Sequence, residues 1–99
     1  VETIDFLEPA IPLIRYHHER WNGRGYPEGL KQDEIPLGAR VIGLCEAFDV
    51  MTMGASWRTK ETVLAARAEL QRGSGEEWDP QVVDAFLQVQ PVIQPIGIE

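Results

Sequence analysis

The chain has one cysteine, two histidines and nine basic residues among its 99, and each scarcity closes off a class of function. A lone cysteine forms no internal disulfide, which excludes a small secreted scaffold held by several bridges. The nine Lys and Arg are scattered singly against 16 acids, for a net charge of −7. A nucleic-acid partner needs clustered bases against its phosphates and is not expected. No apolar run approaches the roughly 18 residues of a membrane span, and no charged-then-apolar leader opens the sequence. The expectation is a cytoplasmic protein with no membrane partner. What is present is ordinary globular composition, 43% apolar and 25% charged, enough for one modest core.

Four stretches have helical periodicity and none alternates as a strand does, so the expected class is all-α. The first helix is expected over 9–21, with Pro9 and Pro12 in its opening turn and Ile11, Ile14, His18 and Trp21 on one stripe, stopping at Asn22-Gly23. A long loop rich in glycine and proline follows, of the length that is usually functional or disordered. The second helix, over 36–53, is apolar nearly all round, the pattern of a buried helix. Its acids Glu46 and Asp49 are three residues apart and project to one side, and buried carboxylates need a partner or a cation. Cys45 beside them reads as a buried apolar filler, and Trp57 as a surface or core aromatic. A third helix is expected over 60–72, with Val63, Ala66 and Leu70 as its stripe. The fourth, over 79–90, starts at Asp79-Pro80, a capping acid followed by a proline at the first helical position. Trp78 and Val83 are placed for a hydrophobic staple, and Pro91 ends the helix. The tail, 91–99, reads as extended.

The chemistry lies in His17-His18-Glu19-Arg20-Trp21-Asn22-Gly23-Arg24-Gly25-Tyr26-Pro27. Adjacent histidines at a helix end are most simply one core and one exposed residue. Imidazole is also the commonest side-chain metal ligand, and neighbouring rings can serve a shared cluster. The whole string resembles the signature of HD-GYP domains, His-His-Glu-x-x-Asn/Asp-Gly-x-Gly-Tyr-Pro. The likeness continues through Ala39-Arg40 and Glu46-Ala47-Phe48-Asp49 and resumes at Trp78-Asp79-Pro80. It implies the C-terminal part of an HD-type helical domain, about four helices spanning residues 1–99. It also implies a bacterial signalling hydrolase that cleaves cyclic di-GMP with divalent iron or manganese.

Carried over residue by residue, the resemblance makes His17, His18 and Glu46 metal ligands, with Glu19 and Asp49 around them. Glu19, otherwise read with Arg20 as a solvated face, would orient a histidine. Asn22, Gly23, Gly25, Tyr26 and Pro27 form a loop at the substrate edge that is linked to diguanylate cyclase domains. The family's His-Asp doublet is absent, Cys45-Glu46 stands where the family has Ala-Asp, and only Arg58 is placed as a phosphate contact. A centre of two or three metals needs more ligands than these residues supply. The implied reading is therefore a truncated or degenerate phosphodiesterase module, inactive as this isolated chain, that binds no metal or holds part of a metal site. The other readings are a protein-interaction module using the Gly-Tyr-Pro loop, and a structural helical domain with a buried polar network. The all-round apolar second helix expects more neighbours than three helices provide, so the chain should associate as a homodimer or by segment exchange. Static light scattering should report a mass above that of the monomer; a clean monomer at high concentration contradicts this.

Overall fold

The computed structural model describes residues 8–90. A single 3-10 turn, Glu8–Ala10, leads into α1 (Ile11–Tyr16); a second, Gln32–Glu34, lies in the following loop. The other helices are α2 (Leu37–Met53), α3 (Val63–Arg72) and α4 (Pro80–Val89), and no strand occurs among the described residues. The chain is all-α, as its periodicity indicates. The expected tail, 91–99, lies outside the described residues.

The first helix is shorter than the 9–21 expected from its stripe. It stops at Tyr16, with His17 as its C-cap, so His18 and Trp21 do not lie on it. The stop comes from long-range bonds that compete with helix continuation. The Trp21 amide donates to the Glu77 carbonyl at 3.1 Å, and the Tyr26 amide reaches the His18 carbonyl. α3 also starts later than position 60, because the Glu61 amide is spent on the Met51 carbonyl at 2.7 Å. The Thr62 hydroxyl then caps the helix by accepting from the Ala65 amide. α4 begins as its sequence indicates, with the Asp79 carboxylate accepting from the Gln81 amide and Pro80 in the first turn. Its other end is closed by Arg67 of α3, whose guanidinium donates to the carbonyls of Leu87 and Gln90.

Leu44 and Met51 of α2, Ala66 and Leu70 of α3, and Trp78, Val82 and Val83 at the start of α4 form the core. Phe48 and Phe86 meet edge to face beside it, at 4.9 Å. The expectation that α2 is buried all round is corrected here. Leu37 and Val41 are 59% and 40% exposed, and Cys45 is exposed rather than a core filler. These residues and Val82, Ala85, Phe86 and Val89 line an open apolar groove between α2 and α4. Partial burial in that groove pushes the Cys45 thiol above its ordinary pKa, which favours the protonated form.

Arg40 ties the elements together. Its Nη1 donates to the Asp79 carboxylate at 2.6 Å and its Nε to the Ile35 carbonyl at 2.9 Å, while the guanidinium faces the Trp21 ring. Asp79 is 4% exposed, so the pair is largely desolvated. Removing one member of such a pair strands a buried charge. Arg40→Ala should destabilise the fold by about 3–5 kcal/mol in urea unfolding followed by circular dichroism. Asp79→Asn, which keeps a cap for Gln81, should cost less; equal and small losses for both would contradict this.

Candidate metal centre

Two glycines of α2 determine how closely α1 approaches it. A Cβ on Gly38 would fall 2.7 Å from the Leu13 side chain, and one on Gly43 would fall 2.5 Å from the His17 carbonyl oxygen. Their absence lets the end of α1 lie on the α2 backbone. Glu46 follows Gly43 by three positions, on the same face, and so comes to stand beside the histidines. One donor atom from each of His17, His18 and Glu46 lies within 4.8 Å of the others.

The His17 ring is oriented from behind. Its Nδ1 is 2.6 Å from the Ile14 carbonyl, which can only accept, so Nδ1 carries a proton. Nε2 then faces the Glu46 carboxylate at 3.2 Å. A proton on Nε2 or a metal ion between the two groups would each satisfy this facing pair. Two donors about 2.0–2.1 Å from one ion, at angles between octahedral and tetrahedral, stand roughly 2.8–3.4 Å apart, so the spacing is also compatible with a shared ion. The His18 ring lies against His17, with centroids 4.0 Å apart, and stacks on Tyr26 at 5.0 Å. Burial first, and the neighbouring His17 second, hold His18 below the ordinary imidazole pKa. That favours the neutral form, the one that ligates metals.

The signature loop is fastened to this group by Glu19, which is buried at 6% exposure. Its two carboxylate oxygens accept from the amides of Glu28 and Leu30, each at 2.8 Å. Glu19 therefore holds the loop rather than a histidine, and it is not part of a solvated face. The Asn22 side chain accepts from the Arg24 amide at 2.9 Å, and Gly23 takes a positive φ of 85°. Gly25 is pressed on backbone: a Cβ there would sit 2.4 Å from the His18 carbonyl oxygen. Tyr26 is 60% exposed and Pro27 is exposed. Asp49, paired with Glu46 by spacing, is exposed and stands outside the three-residue group.

A cleft of about 280 Å³ opens from His18 and Glu46, with Arg20, Trp57, Arg58 and Trp78 on its walls. Arg58 pairs there with Glu61 and, at 2.7 Å, with Glu69. Sequence reasoning missed the loop-fastening role of Glu19, since nothing local indicates acceptance from amides nine and eleven positions on. It also missed the cleft position of Trp78. Glu19→Gln places an amide NH₂ against backbone donors and should cost about 1–3 kcal/mol. Hydrogen exchange at the Glu28 and Leu30 amides should speed up selectively; unchanged protection there would contradict the fastening.

The sequence model of the family described as HD domain matches residues 1–82. A cyclic di-GMP phosphodiesterase of Thermotoga maritima is 36% identical over 90 residues, covering 91% of this chain and 24% of the relative. A probable cyclic di-GMP phosphodiesterase of Vibrio cholerae is 42% identical over 81 residues, covering 82% of this chain and 18% of the relative. The crystal structure of a cyclic GMP-AMP-specific phosphodiesterase from Vibrio cholerae superimposes with a TM-score of 0.65 at 32% identity, over 82% of this chain and 20% of that one. The chain thus spans no more than 24% of the length of these relatives. No helix among the described residues is long and apolar enough to cross a membrane. Signature, helical architecture and sequence matches agree: the chain belongs to the HD domain family and carries its HD-GYP signature.

Proposed function

We propose that this chain forms one wall of a metal-dependent phosphodiesterase site for cyclic dinucleotides such as cyclic di-GMP. His17, His18 and Glu46 would hold a divalent ion, iron or manganese. The observation that carries this is their convergence at the end of a cleft, with the Nδ1 proton of His17 engaged and its Nε2 facing Glu46. A bound ion there supplies a water acidified toward neutral pH and polarises a phosphodiester oxygen. The residues of the chain do the rest. The Ile14 carbonyl fixes the ring orientation of His17, Tyr26 braces His18, and Arg58 offers charge to a phosphate once it leaves its carboxylates.

Three ligands are too few for a di- or trinuclear centre, so the isolated 99-residue chain is read as taking up metal without turning over substrate. A second reading, the loop as a docking face for a diguanylate cyclase domain, is favoured by the exposure of Tyr26 and Pro27 on a loop held rigid by Glu19. Calorimetric titration of such a domain tests it, and absence of heat at high concentration rules it out. For the main reading, Mn²⁺ titration of the chain should show saturable uptake. His17→Ala should weaken that uptake by at least the roughly 10–100-fold that loss of a mere supporting partner costs. Cyclic di-GMP incubated with the Mn²⁺- or Fe²⁺-loaded chain should remain intact. Absence of metal uptake would overturn the ligand assignment, and turnover would overturn the assignment of inactivity.

A further inference from the structure

The cleft at His18 and Glu46 has a lip that the metal reading does not use. The residues 55–58 form a tight turn closed by two backbone bonds, Ala55 amide to Arg58 carbonyl at 2.9 Å and Arg58 amide to Ala55 carbonyl at 3.0 Å. Trp57 sits within this turn and is 77% exposed, yet it lines the cleft. Singly exposed apolar residues are common and need no function. This one stands next in sequence to Arg58, which shares the cleft and is anchored by Glu61 and Glu69. Trp78 walls the same cleft, 7% exposed, and its indole Nε1–H has no acceptor among the described residues.

We propose that Trp57 is a nucleobase platform, stacking on one purine of a cyclic dinucleotide whose phosphates face His18, Glu46 and Arg58. The inference rests on the phosphodiesterase reading and adds the base subsite to it. Metal and arginine recognise phosphate alone and would accept any phosphodiester. A flat π surface at the lip adds recognition of a nucleotide. Every base has a π face, so such a stack does not separate guanine from adenine. The closed turn fixes the backbone from which the indole projects, so only the side chain has to be ordered on binding.

The test is titration of cyclic di-GMP into the 99-residue chain at saturating Mn²⁺, beside Trp57→Ala and Trp57→Phe, with Mn²⁺ affinity measured first for each. Trp57→Ala should weaken cyclic di-GMP by about 5–150-fold, the span of one base–aromatic stack. Trp57→Phe should weaken it less, and affinities for Mn²⁺ and for inorganic phosphate should not move. Equal cyclic di-GMP affinity in the wild type and Trp57→Ala overturns the platform, as does a wild-type chain that takes Mn²⁺ but no cyclic di-GMP. A wild-type chain that takes no Mn²⁺ overturns the metal centre and the platform with it. The two failures are told apart because Mn²⁺ uptake is read before nucleotide is added.

Discussion

The guanidinium of Arg40 is the contact on which the rest of the structure depends. It projects from α2 and holds the capping carboxylate of α4, the Ile35 carbonyl just ahead of α2 and the face of Trp21 in the signature segment. Three parts of the chain far apart in sequence thus share one desolvated charge. The planar fork suits this task, because separate donors address separate acceptors while the flat face remains free for a ring. A lysine could satisfy one of these partners and would leave the others. With Arg40 and Asp79 locked, the start of α4 is fixed against α2, and Trp78 is seated in the core.

The candidate centre is built by different means. Its spacing comes from backbone contact at Gly43, its ring orientation from the Ile14 carbonyl, and its loop from the Glu19 carboxylate. Each of these uses the backbone as one partner, which is stiffer than a contact between two long side chains. Glu46 is the exception, its side chain half exposed on the cleft. The cleft itself carries more acid than base, with Glu46, Glu69 and Glu77 against Arg20 and Arg58. On the proposed reading, a phosphodiester entering it would meet an unfavourable field until cations were present, which would couple metal and substrate binding through charge.

What the sequence made legible follows from how local each signal is. Asp79-Pro80 marked the start of α4 because cap and proline act within one turn, and the structure places both as expected. The extent of α2 was legible from its unbroken run between Pro36 and Gly54. The end of α1 was not, since the bonds that stop it come from Glu77 and Tyr26, and no periodicity contains them. The nearness of Glu46 to the histidines was legible only through the signature and its neighbouring acids. Spacing alone would equally have admitted Asp49, which the helix turns to solvent. Burial of α2 was misread because hydrophobicity reports what a helix can bury, while its actual neighbours depend on the tertiary arrangement.

The stacking of Tyr26 on His18 joins two surfaces otherwise described separately, the exposed tip of the loop and the ring at the head of the cleft. Whatever orders one ring orders the other. A cation that settled His18 would leave less freedom for Tyr26 to lose if the loop were gripped from outside, and a grip on the loop would do the same in return. Linkage makes that help equal in both directions. If a cation is held at His18 as proposed, the two aromatic faces would make its occupancy legible at the loop surface.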